Sequence, residues 1–245
     1  MKKTIVLAAA FLFSSVTLFI SQLNAGESKD LLMGAVVKSD RWKVNRKNNT
    51  ENFSGNVSFK NPDYDLKADK AVYFHNEKRW TLKDSVYAKR KLKNNSSIEI
   101  WCDKGIYLEK KEYAELSKEE EPVKMKFTSA DGVIDGKADN LSADNRKGQM
   151  LFTGSFFLTT ENIKLFSAQG TYLRDTDNFF LHDTEPSTEG MPLAVGKREG
   201  NNFALRAETM DFYKETRDLK CKKRVTGWVK DIPYLEDLTP AGSLK

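Results

Sequence analysis

The side chains of this 245-residue chain that could do chemistry are few: His75 and His182, Cys102 and Cys221, and an acid that recurs along the sequence. A covalent nucleophile needs a base in reach, and zinc needs three or four converging ligands. The sequence contains no G-x-S-x-G, no P-loop and no Cys-x-x-Cys, so hydrolase, nucleotide and zinc chemistry lack their starting residues. Each histidine is solitary. Two cysteines are too few for a disulfide framework. An exported pair could form one bridge, but the plain reading is two small apolar residues within strands, and that reading is preferred.

The acid, or in one copy a glutamine, follows a small residue: Ala68-Asp69, Cys102-Asp103, Ala138-Asp139, Ala168-Gln169 and Ala207-Glu208, at gaps of 34, 36, 30 and 39 residues. A period of this size signals a repeat architecture. Four and two residues before the anchors stand Tyr64 and Leu66, Ile98 and Ile100, Ile134 and Gly136, Lys164 and Phe166, Phe203 and Leu205. This period-two alternation marks a strand with one buried face. Past the acid the phase slips by one, to Ala71 and Tyr73, Gly105 and Tyr107, Leu141 and Ala143, Thr171 and Leu173, Met210 and Phe212. A bulge at the acid absorbs the slip. The acid is thus an outward residue at a bend, not a catalytic carboxylate.

Polar turns follow ("HNEKR", "EKKE", "DNRKG", "RDTD", "KETRD") and then a second strand, carrying Trp80 and Leu82, Ala114 and Leu116, Met150 and Phe152, Phe180, and Leu219. "EKKEYAELSKEEE" (109–121) reads as strand and charged loop. "FSGNVSF" (53–59) is an opening hairpin with Val57 and Phe59 inward. The Gly/Pro-rich stretch 183–202 reads as a surface loop, and the unpaired sheet edges are expected near Val57 and Val225. Stacked units of two strands bury a continuous apolar core. The expected fold is all-β and elongated, built from about five two-strand repeats.

The first 25 residues have a basic start, an uncharged run from Thr4 to Ile20 and a polar exit, the layout of a signal peptide cut after Ala25. Without Lys2 and Lys3, 38 basic and 35 acidic residues remain. That balance does not mark a nucleic-acid binder.

The "FSGNVSF" opening, the repeated apolar-x-Ala-Asp and the Tyr five positions past Ala68 and Cys102 resemble the LptA/OstA family of periplasmic lipopolysaccharide-transport proteins, over roughly residues 40–230. The resemblance implies an antiparallel, taco-like β-jellyroll over residues 26–245, without catalytic residues or cofactor. Its groove would shield the acyl chains of lipopolysaccharide or a related glycolipid. It implies inner- and outer-membrane export components as partners, and head-to-tail homo-oligomers bridging the two membranes. The groove contacts it implies are Phe59, Leu66, Tyr73, Trp80, Leu82 and Ile100; then Tyr107, Leu116, Met150, Phe152 and Phe156; then Phe166, Leu173, Phe180, Leu205 and Phe212. Lys164 and Gly136 in inward columns, and His182 in place of an apolar residue, depart from the pattern.

Three alternatives remain. A carbohydrate-active β-helix is the enzymatic one, but its acids should cluster rather than stand one per bend. A membrane-anchored LptC-like protein would keep its N-terminal helix. In a structural β-repeat surface protein, Trp80, Phe152 and Phe212 would simply be core.

Overall fold

The computed structural model describes residues 36–92, 95–183, 190–198 and 201–230; the expected signal peptide and its expected cut after Ala25 lie outside them. The strands begin with β1 (Val36–Lys38), β2 (Arg41–Asn45), β3 (Thr50–Lys60), β4 (Tyr64–Phe74), β5 (Arg79–Lys91) and β6 (Ser97–Leu108). After a 3-10 turn at Glu109–Lys111 come β7 (Tyr113–Ser117), β8 (Val123–Ser129), β9 (Gly132–Ala138), β10 (Asn140–Asp144), β11 (Gln149–Thr159) and β12 (Ile163–Leu173). The order ends with β13 (Asn178–His182), β14 (Leu193–Arg198), β15 (Asn201–Arg206), β16 (Thr209–Tyr213), β17 (Leu219–Lys222) and β18 (Thr226–Lys230).

These strands form one antiparallel sheet folded lengthwise along a crease. One half runs β2-β3-β4-β5-β6-β7-β10-β11-β12-β13-β16-β17. The other runs β1-β3-β4-β5-β6-β8-β9-β11-β12-β14-β15-β18. Long strands cross the crease, and the others break at it. This is an all-β, antiparallel jellyroll.

The crease lies where the acids stand. The ladders of β3–β4, β4–β5, β5–β6 and β11–β12 shift register there. Left-handed pairs produce the bends: Gly55-Asn56, Asp84-Ser85, Gly154-Ser155 and Lys223-Arg224, with φ between 41° and 76°. The acids on neighbouring strands satisfy the polar groups this frees. Asn56 Nδ2 donates to Asp40 at 2.8 Å, Ser85 Oγ to Asp69 at 3.1 Å, and the Glu119 and Glu120 amides to Asp103 at 2.6 and 2.9 Å. These amides hold the Asp103 carboxyl below the usual carboxylate range. Asp40, preceded by Ser39, is a further small-acid pair at the same line. A Cβ on Gly55 or Gly154 would run into Asp40 or Asp139.

At the free margin of the first half, four-residue turns each end in a left-handed residue: Asn49, Lys78, Glu112, Gly148, Asp177 and Arg217. That is the type I turn plus αL residue of a longer hairpin loop. Backbone bonds join successive turns: His75 to Asn49, Glu109 to Lys78, Asn145 to Glu112, Arg174 to Gly148 and Lys214 to Asp177, at 2.8 to 3.2 Å. The stretch 109–121 is strand and loop, as expected.

Two expectations fail. Residues 193–198 are not surface loop but β14, inserted between β12 and β15, with Leu193, Ala194 and Val195 buried. Val57 is not at an edge: it pairs with Ala68 and is 1% exposed, and β1 covers the other side of β3. Among the described residues the edges are β1 and β2 at one end and β17 and β18 at the other, the last beside Val225 as expected. Cys102 and Cys221 are unbridged, one buried and one half-buried. Burial, with Asp103 alongside, pushes the Cys102 thiol up to about 12.

Candidate functional site: the interior between the sheet halves

Alternation sends every second side chain of both halves into one apolar interior. Phe59, Tyr73, Trp80, Leu82, Tyr107, Phe152, Phe156 and Phe212 are buried in it, and Leu66, Ile100, Leu116, Met150 and Leu205 pack against it. The halves meet through rings: Phe59 of the second half lies edge-on to Trp80 of the first at 4.7 Å, and Phe156 lies 5.0 Å from Phe152. The two halves therefore fill the space between them with their own side chains.

Three expected contacts do not face this interior. Phe166 belongs to a separate cluster on the outer side with Leu193, Val195, Ala204, Phe157 and Trp228. Leu173 and Phe180 join neither cluster; their neighbours Tyr172, Phe179 and Leu181 point inward instead. Lys164 is exposed, not inward, while Leu165 is fully buried in the core. The reason is register. Phe156 pairs with Ser167 and Thr153 with Gln169, so Ala168 stands alone opposite the Gly154-Ser155 bulge. The crease pair of this unit is Ser167-Ala168, one residue earlier than the sequence pattern places it, and such a slip exchanges the faces. His182 shares the outer parity of Phe180, so it replaces no interior residue. Gly136 is inward as expected, and the Met125 side chain closes over it.

The mouth opposite the crease is crossed by contacts that the sequence pattern did not reveal. From the second half, Arg90 reaches the turn 145–148 and donates to Asn145 Oδ1 at 3.2 Å. From the first half, Lys214 Nζ sits 4.0 Å from the Phe127 ring centre, and Arg217 donates to the Asp131 carbonyl at 3.2 Å. Lys214 and Arg217 both stand in the polar turn "KETRD", which was the available signal, while Arg90 lies inside β5. Periodicity says nothing about which turns face each other.

His75 and Asp211 are held in contacts that tie strands together. His75 Nε2 lies 2.7 Å from Glu51, which also accepts from Trp42 Nε1 at 2.9 Å, tying β2, β3 and the turn 75–78 together. Buried Asp211 accepts from Asn178 at 3.1 Å and Lys222 at 2.7 Å. Among the described residues no group of His, Cys, Asp and Glu could hold a metal, and no helix is long and apolar enough to cross a membrane. A cleft of about 400 Å³ crosses β5, β6, β7, β10 and β11, lined mainly by outward-parity residues such as Lys83, Ile106 and Leu151.

A folded antiparallel sheet around one long apolar core defines a β-jellyroll. Residues 36–137 match the family model described as LptA/(LptD N-terminal domain) LPS transport protein. No curated protein matches the sequence. Among solved structures it is similar to LptH of Pseudomonas aeruginosa, described as the LptA homologous periplasmic component of the conserved lipopolysaccharide transport device. That likeness has 9% identity and a TM-score of 0.29, covering 67% of this chain and 95% of the other. The fold assignment rests on the strand pairing itself.

Proposed function

We propose that the protein is a non-catalytic periplasmic carrier that shields the acyl chains of lipopolysaccharide, or a related glycolipid, between its sheet halves. The observation that carries this reading is where the apolar interior goes. It runs the length of the molecule and emerges at both ends. Val37 and Trp42 continue the inner faces of Phe59 and Phe53, and Val229 continues that of Phe203. They are 40%, 56% and 68% exposed. Each methylene kept from water is worth about 0.8 kcal/mol, so a chain of a dozen carbons costs on the order of 10 kcal/mol to expose. An interior that continues from one molecule into the next would avoid that cost across an aqueous gap.

The edge strands β1, β2, β17 and β18 supply the joints, because open edges accept further strands. They would serve head-to-tail copies and the inner- and outer-membrane export components. Residues 1–25 act as a signal peptide and 26–245 as the transport domain. The filled interior favours a second reading, a structural β-repeat protein whose inner face is only core.

Photo-crosslinking in cells that make lipopolysaccharide separates the two. A photoreactive residue at Leu82, Phe152 or Leu165 should capture lipid, and one at Lys83, Thr153 or Lys164 should not. Folded variants with no capture anywhere would leave the structural reading standing. Intact mass of the exported protein tests the start at Gly26.

A further inference from the structure

The mouth is held by weakly matched cations. Arg90 meets across the gap a neutral amide, and its guanidinium stands 5.2 Å from the Tyr64 ring centre. Arg217 meets a backbone carbonyl, and its Nη1 is buried without any acceptor. Lys214 has its carboxylate, Asp177 at 2.6 Å, on its own margin and only a ring on the other. Glu112, beside the turn that Arg90 reaches, accepts from Asn145 and Arg146 on its own margin. So among the described residues the cations that span the mouth meet uncharged acceptors and a ring. Bonds from arginine to phosphate join two charges and are often bidentate, neither of which an amide or a carbonyl oxygen offers. An unpaired buried N–H is costly until something accepts from it.

We infer that Arg90 and Arg217 are docking points for the phosphates of an anionic acylated glycolipid, and that the exchange of Asn145 and Asp131 for phosphate oxygens parts the margins and admits the tails. This rests on the carrier reading and adds the headgroup chemistry to it. The clasps keep the interior shut against neutral lipid; the phosphate opens it.

The test uses the mature full-length chain, with spin labels on cysteines placed at the exposed turn positions Asp63 and Lys147 and with Cys221→Ser. A bisphosphorylated acylated glycolipid should bind about tenfold or more tighter than the same glycolipid after phosphatase treatment, and should lengthen the label distance. Arg90→Gln with Arg217→Gln should abolish that preference. Asn145→Ala, which loosens a clasp but keeps the cation, should raise uptake of the phosphorylated form, so misfolding of the arginine variants would not decide the matter. Inorganic phosphate alone should leave the distance unchanged; if it parts the margins as fully as the glycolipid, the headgroup assignment is wrong. Equal binding of both glycolipids to the wild type overturns the inference and leaves the carrier intact. Binding of neither overturns both.

Discussion

The first three repeat units and the fourth share one crease but treat their outer faces differently. Outside β4, β5 and β6 the surface is a polar ladder. Tyr87 donates to Glu99 at 2.8 Å, Lys89 pairs with Glu99 at 3.1 Å, and Lys67 lies against Tyr87. Outside β12, β14 and β15 the surface is a second apolar cluster, with Phe166, Leu193 and Val195 nearly as buried as the interior. Where only one face is buried, alternation fixes which side chain goes in. Where both are buried, alternation fades, and the bulge alone sets the parity. The fourth unit also has Ala168 where the others have an acid.

Adjacent phenylalanines give the largest test of that contrast. Phe179 is 2% exposed and packs on Phe152, Phe156 and Tyr172. Phe180 faces out, its ring 5.3 Å from His182. Phe179→Ala should cost about 3–5 kcal/mol in urea unfolding, and Phe180→Ala about 1 kcal/mol or less. The reverse order would restore the register read from the sequence pattern and remove the slip at Ala168.

The same contrast explains what was legible. In the first, second, third and fifth units the small-acid pair sits on the crease, so Tyr73, Tyr107, Leu141 and Phe212 were placed correctly. In "LFSAQG" both parities are apolar or small, and the Ala-Gln pair imitates Ala-Asp one step late. β14 was hidden because Gly and Pro flank a short apolar run, "MPLAVG", that reads as punctuation. The mouth clasps are long-range meetings of turns, for which no local pattern exists.

The crease gives an intermediate effect. Gly154 holds φ at 76°, and a Cβ there would strike Asp139. Gly154→Ala should cost about 1–3 kcal/mol, the usual range for a strained backbone position. Adding Asp139→Ala should return only the part due to overlap with the carboxylate, because the Cβ at position 139 still lies 2.7 Å from the added methyl, and should leave the part due to φ. On its other side the bulge meets Ala168, which carries no acid, so Ala168→Gly should not rescue. Rescue by it would place the strain on the fourth unit and not on the acid side.

The smallest effect is the pH response that an acid-bearing crease has and the fourth unit lacks. Asp103 is nearly exposed, yet the amides of Glu119 and then Glu120 lower its pKa in the folded protein. A carboxylate depressed on folding adds stability that is present above its unfolded pKa of about 3.9 and is lost as pH falls through the folded value. The window therefore lies below about pH 4. Asp103→Asn should leave two acceptor-seeking amides facing a weaker acceptor, lowering the urea midpoint slightly at pH 7. As pH falls from 5 to 2 the wild type should drop toward the variant, because protonation removes what the substitution has already removed. Glu77, Glu99 and Asp144 are also depressed, by Arg79, Tyr87 and the Lys147 amide respectively, so both proteins keep some acid sensitivity. Only the difference between them reports on the crease. Parallel curves from pH 5 to pH 2 would mean that Asp103 does not hold the bend, and that the recurring acid is a solvated marker rather than its cap.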